Sequence, residues 1–248
     1  MNLLLFEKPF ESVRLEGADF RAQHLRNVLR VDVGDPVFIG FVGGLRARAR
    51  VTTLEADGAV CLEVERSETV PPPLPLRLLF GLPRPHTAKR ILFDAAGLGV
   101  AELHFVQAER SEPSYAQSKL WQADQWRERL RLGAEQAFTT HLPAVRIHNA
   151  MEEALEALSG VPCRAVLDNY EGESELGAFL TADAKGAAIA VGPEGGWSDE
   201  ERGMFRANGW ALVHMGPFVM RTEMAGAAAV AVAASRLGLS RNPTHTKL

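Results

Sequence analysis

The sequence predicts an α/β protein, with a small β-rich module in front of a larger unit in which strands and helices alternate. Three features carry that reading. Consecutive prolines in Val70-Pro71-Pro72-Pro73-Leu74-Pro75 remove backbone donors and favour a stiff, extended spacer, which places a domain junction there. Before the prolines, short β-like runs are separated by Gly43-Gly44 and Asp57-Gly58. After them, apolar strand-length runs alternate with helix-length segments. The expected domains are residues 1–70 and 76–248, joined by a linker over 71–75.

Taken in order, Asp19 to Arg30 reads as a helix with Phe20, Leu25, Val28 and Leu29 on one side and arginines mostly on the other. Strands are expected at Val37 to Phe41, Leu45 to Thr53 and Ala59 to Val64, with Asp57-Gly58 a hairpin turn, so a small barrel-like module fits. Beyond the linker come a strand at Leu76 to Gly81, a helix at His86 to Leu98, a strand at Glu102 to Gln107 and a helix at Trp121 to Phe138. Further strands fall at Arg164 to Asp168, Ala187 to Val191 and Ala211 to Met215, and a closing helix runs from Glu223 to Leu237.

Composition narrows the class. The chain has 248 residues, 46% hydrophobic and 23% charged, so a real core is expected. The apolar run Leu3 to Phe6 is too short for a signal peptide, and Ala225 to Ala234 falls short of the ~20 residues of a membrane span, which points to a cytoplasmic protein. Cys61 and Cys163 form no CxxC or Cys/His cluster, so the sequence suggests neither a disulfide framework nor a metal site, and both thiols are expected to be buried. The net charge of −4 argues against a generally basic nucleic-acid binder. Charge is nevertheless uneven. Arg21, Arg26, Arg30, Arg46, Arg48 and Arg50, with His24, face only Asp32 and Asp35 in that stretch, and Arg46, Arg48 and Arg50 alternate onto one strand face. His24, Arg26, Arg30, Arg46, Arg48 and Arg50 are therefore the candidate phosphate contacts of a nucleic acid, because arginine suits bidentate phosphate binding.

Two segments suggest chemistry. In Ala188-Ile189-Ala190-Val191-Gly192-Pro193-Glu194-Gly195-Gly196-Trp197-Ser198-Asp199-Glu200-Glu201 an apolar strand runs into a glycine-rich loop. Its glycines permit positive φ and close approach of a ligand, and Ser198 with Glu201 forms a capping-box pattern for the next helix. The loop lacks GxGxxG and no GK[ST] follows, so it is neither a dinucleotide fingerprint nor a phosphate loop. Glu194 would repel phosphate but suits a cationic sulfonium or an amino group, as in S-adenosylmethionine. The second segment, Val213-His214-Met215-Gly216-Pro217-Phe218-Val219-Met220-Arg221-Thr222-Glu223-Met224-Ala225, is again a strand end, a Gly-Pro turn and a helix start. The small-sided run Gly226 to Ala234 permits close packing in a core or subunit interface.

Together these segments resemble the ribosomal small-subunit RNA uracil-N3 methyltransferase family of the SPOUT superfamily. Other stretches agree in order. Gln23-His24-Leu25-Arg26-Asn27-Val28-Leu29-Arg30 is similar to the family's HHLxxVLR helix, Val33-Gly34-Asp35 to its GD turn, and Leu98-Gly99-Val100, Glu109-Arg110-Ser111, Ala134-Glu135-Gln136 and Leu142-Pro143 also fall in family order. The chain departs at Gly97, where the ATELGV pattern has a carboxylate, and at Thr139, where EQSxR has an arginine.

The resemblance implies a SPOUT-type trefoil-knotted methyltransferase domain behind a PUA-like barrel, S-adenosylmethionine as methyl donor, ribosomal RNA in a structured small-subunit particle as substrate, and a homodimer. The donor-holding positions would be Leu167, Val191, Gly192, Glu194, Gly195, Gly196, Met215, Gly216, Val219, Met220 and Arg221. Arg221 would stabilise negative charge on the base, with Glu223 orienting it. The rival readings are a related enzyme acting on a ribose 2′-hydroxyl or another base, and a noncatalytic RNA-binding or assembly factor that retains the fold.

Overall fold

The computed structural model describes residues 3–239. The outermost ends of the two expected domains, residues 1–2 and 240–248, lie outside the described residues. The chain divides into two compact units. The first runs through Pro72 and takes in Ala134–Leu142; the second comprises Pro73–Gly133 and continues from Pro143.

The first unit is a curled five-stranded sheet in the order β1-β3-β4-β5-β2. Its strands are β1 (Leu4–Phe6), β2 (Ser12–Leu15), β3 (Pro36–Phe41), β4 (Arg46–Leu54) and β5 (Val60–Glu68). β1 pairs parallel to β3 and the remaining pairs are antiparallel. The Asp57-Gly58 turn joins β4 to β5, with Gly58 at φ 91°. Burial alternates along β4, so Ala47, Ala49 and Val51 enter the core with Ile39, Phe41, Val60 and Leu62 while the three arginines share the outer face.

The first helix differs from its expected form. α1 (Phe20–Gln23), capped by Asp19, passes into a π-helical segment, His24–Leu29, that ends at Arg30 with φ 54°. The wider π turn breaks the 3.6-residue period, so Leu25 is buried while Phe20, Val28 and Leu29 face solvent. A one-sided apolar helix is thus replaced by a short anchor at Ala22 and Leu25.

Residues 134–142 complete this unit, although the limits expected from the sequence place them in the second. The Leu5 backbone N–H donates to Glu135 Oε1 at 3.0 Å, Arg46 donates to the Phe138 carbonyl at 3.0 Å, and Thr140 Oγ1 donates to the Gly44 carbonyl at 2.7 Å. A methyl of Thr140 also lies 2.7 Å from where a Cβ on Gly40 would stand. Thr139, at the family's arginine position, accepts from the His141 backbone N–H.

The second unit holds a seven-stranded, all-parallel sheet in the order β10-β12-β9-β11-β6-β7-β8. The strands are β6 (Leu74–Gly81), β7 (Val100–Val106), β8 (Ala144–His148), β9 (Cys163–Leu167), β10 (Ser174–Glu175), β11 (Ala187–Val191) and β12 (Ala211–His214). β6 takes in Leu74 and Pro75, which the proline run assigns to the linker; Pro75 falls at a register shift in the ladder with β7, where a missing N–H is tolerated. β11 is buried at every position, as a central parallel strand covered on both faces must be.

Helices cover the sheet: α2 (Pro85–Gly97), α3 (Lys119–Gln122), α4 (Gln125–Gln136), α5 (Met151–Ala157), α6 (Leu176–Phe179), α7 (Asp199–Ala207) and α8 (Thr222–Arg236). The single helix expected from Trp121 to Phe138 is split, because Asp124 adopts φ 53°. In α8, Gly226 lets the Phe80 ring approach to 2.7 Å of where a Cβ would be, which accounts for the small-residue run at that point. At the β7–β8 edge the rings of His104 and His148 stack 5.1 Å apart, and His104 Nδ1 lies 2.9 Å from His148 Nε2. Both cysteines are half-buried rather than fully buried.

Candidate active site

A parallel sheet delivers the loops that follow its strands to one edge, and ligands bind there. Here β12, β9, β11 and β6 are consecutive neighbours. The segments after them line a single cavity of about 720 Å³, within the range of small-molecule sites. Contributing residues include Arg84, Thr87 and Arg90 behind β6; Leu167 to Tyr170 at β9; Val191 to Trp197 at β11; and Met215, Val219 to Glu223 and Ala225 behind β12.

The loop after β11 is a tight turn. Gly196 donates its N–H to the Pro193 carbonyl at 2.8 Å and adopts φ 70°. Of the three glycines expected to exploit positive φ, only Gly196 does so. Gly192 is required for approach instead, since an added Cβ would stand 3.1 Å from Gly196 Cα. The capping box forms as the sequence suggests: Ser198 Oγ accepts from the Glu201 N–H and Glu201 Oε2 accepts from the Ser198 N–H. Trp197 packs edge-on against Phe205 beneath the loop.

The loop after β12 turns at Gly216, φ 93°, whose N–H donates to His214 Nδ1. Thr222 Oγ1 then donates to the Gly192 carbonyl at 3.3 Å, so the two glycine turns are joined directly. The loop after β9 is held by a nearly buried ion pair. Arg202 Nε donates to Asp168 Oδ2 at 2.8 Å, with side chains only 5% and 3% exposed. Asp168 Oδ1 accepts from the backbone N–H groups of Tyr170 and Glu171 at 2.8 and 2.7 Å.

Each expected donor-holding position has a place in this geometry. Leu167, Val191, Gly192, Glu194, Gly195, Gly196, Met215, Val219, Met220 and Arg221 line the cavity, whereas Gly216 shapes the turn without lining it. Glu194 has a further engagement: its Oε1 accepts from the Arg84 N–H at 3.2 Å and from Thr87 Oγ1 at 2.9 Å, which supplies the cap that α2 otherwise lacks. Arg221 is exposed on the lining, and its side chain makes no hydrogen bond or ion pair with the described residues. Glu223, expected to orient it, makes no contact with Arg221 among the described hydrogen bonds and ion pairs. Its Oε1 accepts from Arg90 at 3.0 Å, because the first turn of α8 faces α2. Burial, and then the charge of Glu223, raises the Asp94 carboxyl pKa, while Arg90 opposes the rise.

The candidate RNA contacts divide. Arg46 is paired with Glu68, while Arg48 and Arg50 pair with Glu65. Those carboxylates come from β5, across the sheet and beyond the stretch in which the arginines stand out, so the local excess is largely cancelled in three dimensions. Arg26 donates to the Glu55 and Ala59 carbonyls and acts as a strut. Arg30 is exposed and His24 half-buried. Arg84, just before α2, and His86 and Arg90 within it were not among the expected site residues, although they line the cavity. The signal for them was positional: they follow a parallel strand adjacent to β11.

Comparison with known proteins agrees with this architecture. The RNA methyltransferase domain family matches residues 70–234. A Treponema pallidum protein, ribosomal RNA small subunit methyltransferase E, is 33% identical over 243 residues, covering 94% of this chain and 90% of that protein. A crystal structure of a ribosomal RNA small subunit methyltransferase E from Neisseria gonorrhoeae, bound to S-adenosyl methionine, superposes with a TM-score of 0.78 at 24% identity over 95% of this chain and 97% of the other. A Legionella pneumophila structure solved with bound cofactor SAM gives a TM-score of 0.80 at 20% identity, covering 94% of this chain and 96% of the other. The chain belongs to the ribosomal RNA small subunit methyltransferase E family.

Proposed function

We propose that the protein transfers a methyl group from S-adenosylmethionine to small-subunit ribosomal RNA, at N3 of a uracil. The observation that carries this reading is the Thr222–Gly192 hydrogen bond, which closes two glycine turns around one cavity at the strand ends. The residues present fit the donor. Gly192 leaves room where a Cβ would crowd Gly196, Gly196 supplies the positive φ of the turn, Leu167, Val191, Met215, Val219 and Met220 supply apolar walls, and Glu194 offers the carboxylate oxygen that α2 does not use. When bound, S-adenosylmethionine supplies an electrophilic methyl carbon on a sulfonium.

The chain's own part is positioning and charge. Holding nucleophile and methyl carbon in line can contribute roughly 7–11 kcal/mol. Uracil N3 carries a proton, so its lone pair becomes reactive only as negative charge spreads onto the ring carbonyls. Arg221, whose side chain has no partner among the described residues, would meet that charge. Glu223, neutralised by Arg90, keeps the first turn of α8 against α2 and is not assigned a proton-transfer role.

The same reading includes a homodimer with the donor site near its interface, a cytoplasmic location, and a knotted crossing among the loops after β9, β11 and β12, which the non-sequential strand order accommodates. The domain limits we propose are residues 1–70 and 76–248, with residues 134–142 lending support to the first. Among the described residues no helix is long and apolar enough to cross a membrane. The test is transfer of labelled methyl groups to small-subunit particles followed by nucleoside mass spectrometry. We expect 3-methyluridine; a 2′-O-methyl nucleoside, or no transfer, would refute the assignment.

A further inference from the structure

The site contains an aromatic ring that neither donor binding nor the core accounts for. Tyr170 lines the cavity yet is 82% exposed. An exposed aromatic on a loose loop would be unremarkable, but this one is fixed at its base. Its N–H donates to Asp168 Oδ1, Asp168 is locked to Arg202, and the Arg202 guanidinium carbon lies 5.5 Å from the ring centroid. The chain therefore presents a flat π-face to solvent from a rigid mount.

Cations line the same cavity. Arg84 and Arg221 both do so, and neither side chain makes a hydrogen bond or ion pair with the described residues. In the first unit, by contrast, Arg46, Arg48 and Arg50 are paired with Glu65 and Glu68. Unspent positive charge in these groups therefore collects around the cavity. A ring beside unpaired guanidinium groups is the chemistry that grips single-stranded nucleic acid, since every base has a π-face and every linkage a phosphate.

We propose that Tyr170 is a stacking platform for a nucleobase of the RNA substrate at the mouth of the donor cavity, with Arg84 holding an adjacent phosphate. This rests on the methyltransferase reading above and names a substrate contact within that site. Tyr170 is a specificity and positioning residue: it holds the base while the reacting atoms lie deeper. Stacking needs the ring and not the hydroxyl, which separates this role from a hydrogen-bonding one.

The experiment compares the full-length wild type with Tyr170→Leu, Tyr170→Phe and Arg84→Gln. It measures donor affinity by calorimetry, KM and kcat on small-subunit particles at several salt concentrations, and mass in solution. Tyr170→Leu should raise KM for the particle on the order of tenfold, with much less change in kcat, and Tyr170→Phe should recover it. Arg84→Gln should lower the slope of log affinity against log salt by about 0.7–0.9, the value of one phosphate contact. An active wild type with Tyr170→Leu unchanged in KM overturns this inference alone. So does Tyr170→Leu shifting the solution mass, which would make the ring a contact between protein copies. A wild type that binds no donor and transfers no methyl overturns the functional reading and this inference with it.

Discussion

Replacing Arg202 with Met tests whether the cavity wall depends on a buried charge pair. The guanidinium donates to Asp168 at 2.8 Å and to Asp199 at 2.7 Å, and its side chain is 5% exposed. Met fills similar volume but leaves Asp168 buried and without its cation. Removing one member of a buried pair costs about 3–5 kcal/mol. The lower end applies here, because Asp168 keeps its two backbone N–H donors from Tyr170 and Glu171. For a unit of this size, ~3 kcal/mol lowers the melting temperature by roughly 6–12 °C. Asp168→Asn should cost less, since Oδ1 can still accept both N–H groups while Arg202 keeps Asp199. The double variant should be less damaged than the sum of the single ones, with a coupling of about 1–3 kcal/mol. The assay is urea unfolding of all four proteins, accompanied by donor titration, because the loosened loop forms part of the cavity. A stability loss in Arg202→Met below about 1 kcal/mol, or strict additivity in the cycle, would refute the reasoning.

Other expectations follow from single features of the site. Gly196→Ala places a side chain at φ 70° with nothing within 4 Å of the new Cβ, so its cost is conformational, about 1–2 kcal/mol, and calorimetry should show donor affinity reduced severalfold. Thr222→Val keeps the shape but removes the donor to the Gly192 carbonyl; a loss of about 1 kcal/mol is expected by urea unfolding, together with weaker donor binding. Burial, and then the charge of His148, lowers the His104 pKa to about 4 from an ordinary value near 6.5, with Glu102 opposing the shift and Arg146 adding to it. The folded state therefore resists protonation that the unfolded chain accepts, so stability should fall as pH drops from about 6.5 to 4, by up to ~1.4 kcal/mol per pH unit from this group. His104→Phe should flatten that stretch of the unfolding profile, and an unchanged slope would contradict the explanation. Arg50→Ala, which removes an arginine already paired with Glu65 and leaves Arg48 on that carboxylate, should change the salt dependence of RNA binding less than Arg84→Gln does.

Much of this architecture was legible because it depends on local patterns. β11 falls at the expected residues because five consecutive apolar positions between a turn and a glycine loop admit few other solutions. The α7 cap was visible as Ser198 and Glu201, three positions apart. What remained hidden lay in partners distant along the chain. No reading of Arg46, Arg48 and Arg50 alone reveals that Glu65 and Glu68 stand opposite, since strand register decides it. Residues 134–142, the last turn of α4 and the segment after it, continue a helix that starts in the second unit yet serve the first, through contacts to Leu5, Gly44 and Arg46. The π-helical turn at His24–Leu29 is invisible to a 3.6-residue template, which counts Val28 and Leu29 as core. Glu194 was singled out as a partner for a cationic ligand, and the structure adds a second task, capping α2, that charge complementarity could not disclose.

The account depends on the donor occupying the space between the two joined turns. The most direct measurement is a crystal structure of this protein grown with S-adenosylmethionine. We expect its density against Gly192–Gly196 on one side and Met215–Arg221 on the other, with the methyl group directed toward Arg221 and the open mouth. Donor density elsewhere on the chain, or none at saturating concentration with the cavity accessible in the lattice, would contradict the account.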